Sequence, residues 1–496
     1  MAKVHGLIKI LTLEEMQRLH DAALQVLDRA GMIIDHAEAL DYLRQAGCRV
    51  SFDRRHVSFP PEITQHAMEK MRRDFTLADR QGIEMPVRFS QVHFSTSPVR
   101  IRRDFTANAG GFVPYILDMD GRRRFATMQD ARDAIRLIDG LDNIDMTGLP
   151  IVASEVPERD RPVVMSAELV KGTRKIGGIE TWDATDVRAL QRMAAVISGS
   201  EATARKRPLL VGYAEVRSPL CLDYNMAEIF IESVKLGLPQ TVDTMPNAGA
   251  TAPASGGGAL AQGLAESMSA VVLGYAIDPN AMLGLDITPG YCDMRGGSFP
   301  YSGADRLPLI AAANQMLNEF YGRPGGCHGG KTDASYVGVQ SGAEKALSIL
   351  FPILCGASGI GTVGQLGSTT FSPIQVVIDN EIIGYVKRML EAFEVDDLSW
   401  AVDAICEVGP GGHFLSHPST TERFRKEFWL DHIFERLAFH SGDVPPYDAL
   451  VEQARTKAEK ILAEHTPEPL PRDKADAIDE IVAETIAGRR QTRSLS

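Results

Sequence analysis

The chain has 496 residues, 44% hydrophobic and 24% charged, a composition that buries a large core without covalent staples. Its formal net charge of −13, from 52 Lys and Arg against 65 Asp and Glu, argues against a general nucleic-acid binder, which needs a basic face. The six cysteines (Cys48, Cys221, Cys292, Cys327, Cys355, Cys406) form no CxxC or zinc-ribbon pattern, the N-terminus lacks a secretory pattern, and no window approaches the roughly 18 apolar residues of a membrane span, so a reduced, cytoplasmic protein is expected.

The first element is a helix over residues 12–30, TLEEMQRLHDAALQVLDRA, opened by a capping box of Thr12 and Glu15 and closed by Gly31. Leu19, Ala22, Ala23, Val26 and Leu27 recur at helical spacing along it. Two more helices are expected over residues 37–46 and 61–70, then short strands and turns over 76–105. Residues 1–110 thus form a preface.

From about Gly111 a short apolar run alternates with a polar, amphipathic stretch, over and over. Strands are expected at 112–117, 144–153, 175–180, 209–216, 240–245, 281–287, 325–329 and 360–365. Helices are expected between them, at 128–141, 160–171, 183–197, 222–236, 259–277, 304–321 and 342–356. Strands alternating with helices indicate parallel βαβ units. The expected strands match the count of an α/β fold of the (β/α)8 TIM barrel type over residues 111–372, with an open doubly wound sheet as the alternative. Residues 373–496 follow as a helical extension, broken by TPEPLPRD and ending in a polar tail expected to fray.

Two motifs carry little. GIGTVG (359–364) matches a dinucleotide-binding spacing, but a helix precedes it and a loop follows, the reverse of the required context. His413 and His417 are four apart, yet Gly411, Gly412 and Pro418 disfavour the helix that would make them ligands. No metal site is expected.

The stretch RPGGCHGGKTDAS (323–335) is different. It sets Cys327, His328, Lys331, Thr332 and Asp333 among four glycines, between two regular elements. Glycine lets backbone approach a ligand closely, and such a cluster reads as a site on a scaffold. In a barrel the site forms at the C-terminal ends of the strands. The expected strand ends nominate Glu180; Tyr213, Glu215 and Arg217; Asp243, Met245 and Asn247; Asp286 and Thr288; His328 and Lys331; and Gln365 with Phe371. Tyr291 and Tyr301 lie nearby in sequence. Carboxylates with aromatic faces suit an alkylammonium cation. Clustered carboxylates also serve metal binding or acid/base work, and each could instead be a paired polar residue of the barrel floor.

Several long segments resemble the trimethylamine methyltransferase family: residues 247–281 (NAGATAPASGGGALAQGLAESMSAVVLGYAIDPNA), GGCHGGKTDAS, VIDNEIIGYVKR (377–388), VGPGGHFLSHPSTTERFRKEFW (408–429) and YILDMDGRRRFATMQD (115–130). The resemblance runs from about residue 10 to residue 480. It implies a (β/α)8 barrel, and transfer of a methyl group from an amine to the cobalt of a corrinoid (cobalamin) carried on a separate partner protein docking at the barrel top. It implies no tightly bound cofactor on this chain and is compatible with a homo-oligomer. The archaeal trimethylamine enzymes of the family contain pyrrolysine. This sequence has none, so it is similar to the non-pyrrolysine branch, whose members demethylate quaternary amines such as glycine betaine, proline betaine and carnitine.

A quaternary ammonium leaves as a neutral amine and needs no proton. The site must place it in line with the nucleophile and exclude water. Overly strong carboxylate binding would favour the ground state over the transition state, so an aromatic cage with few direct carboxylates is expected. His328, Asp286 and Glu215 are the expected catalytic residues. Tyr213, Asp243, Asn247, Tyr301, Lys331, Gln365 and Phe371 are the expected substrate-binding ones, with Lys331, His328 and Asn247 as donors to a betaine carboxylate. The alternatives are a betaine-binding protein without catalysis and a barrel lyase or aldolase using Lys331 or His328.

Overall fold

The computed structural model describes residues 8–72, 75–78, 80, 84–88, 105–323, 329–391, 393, 397–429, 432–434 and 449–494. The N-terminal helices form where their caps and apolar periodicity place them. Leu13–Arg29 opens on Thr12, whose hydroxyl accepts from Glu15 N while the Glu15 carboxylate accepts from Thr12 N at 2.8 Å. Ala37–Gln45 and Pro61–Lys70 follow.

Parallel strands form a continuous run in the order Gly359–Val363, Thr106–Ala109, Met146–Thr147, Gly178–Ile179, Val211–Val216, Gln240–Thr244 and Leu283–Ile287. The link across its middle is the single parallel bridge Thr147↔Ile176. Among the described residues no ladder joins the two ends of this run. The strand expected at 325–329 falls largely outside the described residues.

The first strand of the run is Thr106–Ala109, not the segment expected at 112–117. Thr106–Ala109 reads TANA, too short and polar to register as an apolar run. Phe112 sits at φ +53°, a left-handed conformation that interrupts a strand. Beyond it Tyr115–Leu117 pairs antiparallel with Arg123–Phe125. The hairpin turn is held by Asp118, whose carboxylate accepts from Asp120 N at 3.1 Å and Arg122 N at 2.8 Å. Thr370–Phe371 and Gln365–Leu366 complete that separate four-stranded sheet.

The outward residues of the central strands pack on helices. Ala214, Val216, Val242, Leu285 and Ile287 share one apolar cluster with Tyr224–Leu236, Gly256–Ile277 and the N-terminal Leu13–Arg29. Among the described residues the N-terminal helices pack into the same core as the sheet. Gly256–Ile277 also corrects an expectation, because it is long and apolar enough to cross a membrane. It is buried inside the fold, with every residue from Ala259 to Gly274 covered.

At the C-terminus Arg472–Ser494 is helical through the stretch expected to fray. Arg489 explains this: its guanidinium is buried and donates to Asp186 at 2.6 Å and Asp183 at 3.0 Å.

Candidate active site

Strand register decides which side chains meet. Glu215 stands beside Asp243, and Asp243 beside Asp286, on three neighbouring parallel strands. Side chains alternate along a strand, so these three share the face opposite the apolar outer residues. Tyr213 is two residues before Glu215 on that same inward face. Gly178 and Ile179 pair with Val211 and Gly212, which sets Glu180 next to Tyr213. The Tyr213 ring lies across Gly178, where any Cβ would come within 2.1 Å of the phenol oxygen. Below, Val211 joins Phe75, Leu77, Met146 and Met282 in a small apolar floor.

Cations and aromatics lie within electrostatic reach of these acids. Lys331 is 8% exposed, and its Nζ sits 3.8 Å from the centroid of the Tyr301 ring. Arg306 is buried with its guanidinium 5.4 Å from the Tyr301 centroid and 5.3 Å from that of Phe299. It donates to Pro289 O at 3.1 Å and to Tyr301 O. Asp333 fixes the Tyr301 segment, accepting from Tyr301 N at 2.7 Å and Ser302 N at 2.9 Å.

These groups perturb one another. Neighbouring parallel strands lie ~4.8 Å apart. Two ionised carboxylates at that distance repel by about 3 kcal/mol at an effective dielectric near 20. Burial, then the charge of Glu215, pushes Glu180 up to about 8, with Lys331 opposing. Burial and the neighbouring carboxylates hold Asp243 well above the usual carboxylate range, and burial raises its partner Asp286 as well, against Arg306 and Lys331. Burial, then Arg306, lowers Lys331 to about 7, with Asp243 and Asp286 opposing. Burial raises the phenol of Tyr213, and Glu180, Asp286 and Asp243 add to it. Near neutral pH Glu180, Asp243 and Asp286 thus resist ionising, close to a lysine that is easily discharged.

Of the residues nominated from sequence, the structure brings together Glu180, Tyr213, Glu215, Asp243, Asp286, Tyr301 and Lys331. Asn247 begins a short strand beyond, paired with Gly290, and its backbone N donates to Thr251 at 3.0 Å. Arg217 does not share the face of Glu215, because the strand ends at Val216; it is exposed and paired with Asp223 at 2.9 Å. Phe371 is fully buried in an apolar cluster, and Gln365 donates its amide to Gly110 O; both sit on the separate sheet. His328 and Cys327 lie outside the described residues. Among the described residues, two tyrosines, Tyr213 and Tyr301, and four carboxyl groups, Glu180, Glu215, Asp243 and Asp286, gather at this site.

Arg306 went unnamed in the sequence, though an Arg opening a helix, where the macrodipole disfavours a cation, was a usable signal. Lys345 and Asp379 also went unnamed. Each is a charged residue on the buried face of a helix, within Val339–Leu354 and Pro373–Glu391.

The family model described as trimethylamine methyltransferase (MTTB) matches residues 2–488. The chain belongs to this family. It is 26% identical over 467 residues to the glycine betaine methyltransferase of Desulfitobacterium hafniense (strain Y51), covering 93% of this chain and 94% of that protein. It is 28% identical over 488 residues to the trimethylamine methyltransferase MttB of Methanosarcina thermophila, covering 94% and 95%. Among solved structures, the monomethylamine methyltransferase of Methanosarcina barkeri aligns at a TM-score of 0.48 and 13% identity, over 91% of this chain and 89% of that one. The segments that carry the family resemblance run through the site. GGCHGGKTDAS supplies Lys331 and Asp333, and VIDNEIIGYVKR supplies Asp379.

Proposed function

We propose that this chain demethylates a quaternary amine, with glycine betaine the leading candidate, and passes the methyl group to a corrinoid carried by a partner protein that docks at the mouth of a closed (β/α)8 barrel. The observation that carries this reading is the registered row Glu215–Asp243–Asp286, with Lys331 seated on the Tyr301 ring and within electrostatic reach of Asp243 and Asp286. One wall suits a cation and the other an anion, which is the charge pattern of a betaine. When the partner is bound, its Co(I) supplies the nucleophile that takes the methyl group.

The chain's own residues do the rest. The faces of Tyr213 and Tyr301 contact the N-methyl groups. Lys331 donates to the carboxylate, with Asn247 as a second donor from the rim. The acidic wall attracts the cation without holding it too tightly, because Glu180, Asp243 and Asp286 resist ionising. Once the nitrogen has lost its charge, these carboxyls take protons back from solvent as the tertiary amine leaves, which resets the wall for the next cation. Exposed Glu215 and Met245 mark the open side, and buried Asp286 the closed one.

The test mixes the protein with Co(I)-cobalamin and glycine betaine, proline betaine, carnitine or trimethylamine, and follows the corrinoid spectrum. Conversion with glycine betaine and not with trimethylamine is expected. No conversion with any quaternary amine would sink the proposal. A depressed lysine in a buried pocket also favours a Schiff-base reading. Borohydride trapping of a carbonyl substrate on Lys331, without methyl transfer, would select it.

A further inference from the structure

Lys345 and Asp379 form an ion pair at 2.6 Å with side-chain exposures of 0% and 1%. Desolvation largely cancels the attraction in such a pair, and apolar replacements of similar volume are often no less stable. Stability alone therefore does not explain it. Its other bonds are more telling. Lys345 Nζ donates to Gly330 O at 2.7 Å, and Asp379 accepts from Gly364 N at 2.7 Å and from Gln375 Nε2 at 2.8 Å.

Both backbone groups belong to glycines in the left-handed region, Gly330 at φ +81° and Gly364 at +87°. Gly364 also has no room for a side chain, since a Cβ would meet Phe371 at 2.7 Å. One glycine lies immediately before Lys331 and the other immediately after the strand Gly359–Val363. The pair thus ties the loop that carries Lys331 to the end of a sheet strand.

The same helix secures the following residues. Ser348 accepts from Gly330 N at 3.1 Å and donates to Lys331 O at 3.2 Å. Glu344 accepts from the Thr332 hydroxyl at 2.5 Å and from Asp333 N at 2.8 Å. Every residue from 330 to 333 is held by a side chain of Val339–Leu354, while the Lys331 ammonium projects over Tyr301.

We infer that the Lys345–Asp379 pair is a positioning device that sets the direction of Lys331, and through it the selectivity of the site for amines that carry a carboxylate over those that do not. This rests on the proposed reading only for the identity of the ligand. The orientation of Lys331 can be measured without any methyl transfer.

The double variant K345M/D379L removes both charges together and leaves neither unpaired. Three measurements on the full chain decide the matter: thermal unfolding, calorimetric binding of glycine betaine and of tetramethylammonium, and acetic anhydride labelling of Lys331 from pH 6 to 10 read by mass spectrometry. The groups facing Lys331 are Tyr301, Arg306, Glu180, Asp243, Asp286 and Lys345. The variant removes a cation together with its paired anion, so a changed labelling rate at pH 10, where the Lys331 ammonium is discharged in both proteins, reports a changed direction of the side chain. Glycine betaine affinity should fall about tenfold or more, with tetramethylammonium unchanged. A folded double variant with wild-type labelling and wild-type affinity for both ligands would overturn the inference. If that variant does not fold, Asp379→Asn keeps the shape of the pair and removes the attraction that holds Lys345. The same selective loss of glycine betaine is then expected, and wild-type affinity for both ligands would again refute it. Should the wild type bind neither ligand, the proposed function fails, and the labelling rate of Lys331 at pH 10 decides the role of the pair.

Discussion

Glu180→Gln isolates the electrostatic cost of the acidic wall. The substitution keeps the shape and replaces a group that can ionise with one that cannot. Burial and Glu215 raise Glu180 from an ordinary 4.5 to about 8. A raised carboxyl binds its proton more tightly in the folded state than in the unfolded one. Between pH ~4.5 and ~8 the unfolded state therefore holds fewer protons, and stability falls as pH rises through that window. A shift of 3.5 units corresponds to about 5 kcal/mol at most. Glu180 keeps some accessible surface, so roughly half of that is the working figure. For 496 residues the unfolding entropy is about 1 kcal/mol per kelvin, which makes the effect ~2–5 °C in Tm. Thermal scans of both proteins from pH 4 to 9 should nearly coincide at pH 4, where Glu180 is largely protonated in the folded and the unfolded state. The variant should gain on the wild type as pH rises from there, and reach its full advantage above pH 8. A difference independent of pH, or a variant less stable at pH 9, would refute the placement of Glu180 in a desolvated row.

The same row makes cation binding depend on pH. A bound quaternary ammonium favours the ionised carboxyls, so tetramethylammonium should bind several-fold more tightly at pH 8.5 than at pH 6.5 and release protons as it does so. Calorimetry in buffers of different ionisation heat measures both, and a flat profile would place the cation elsewhere. Lys331→Met should weaken glycine betaine about tenfold or more and leave tetramethylammonium within about threefold, because only the former carries a carboxylate. Equal losses for both ligands would remove Lys331 from the anion side. Thr12→Ala should cost about 1 kcal/mol by removing the capping box of the first helix, read as a lower denaturation midpoint.

Most regular elements were legible because their signals are local. Caps at Thr12, Thr127 and Asp183 and apolar periodicity set helix positions to within a few residues. The inward acids were legible from alternation along Val211–Val216, Gln240–Thr244 and Leu283–Ile287. What sequence could not supply was register, which depends on contacts between distant segments. Strand ends are equally hidden, so Arg217 lies beyond the last residue of Val211–Val216, and Thr106–Ala109 is too short and polar to stand out beside the more apolar 112–117. The Lys345–Asp379 pair was hidden for a related reason. Each charge lies on its own helix, 34 residues from its partner, and an isolated charge on an apolar face carries no sign of what will neutralise it.

The two sides of the site solve opposite problems with the same physics. A fixed anionic wall would bind a quaternary cation strongly and then resist the loss of its charge during methyl transfer. Asp243 and Asp286, in register on adjacent strands, avoid this, because burial and the neighbouring charges make them resist ionising until a cation arrives. Lys331 faces the converse difficulty, since a buried ammonium that discharges near pH 7 cannot rely on charge alone to hold an anion. It needs direction. The backbone clamp on residues 330–333 supplies that direction, and the tyrosine ring beneath Nζ limits where the ammonium can swing. The acidic side is therefore expected to tolerate conservative changes in geometry but not in charge. The basic side should tolerate neither, so Lys331→Arg should fail to replace it even though the charge is kept.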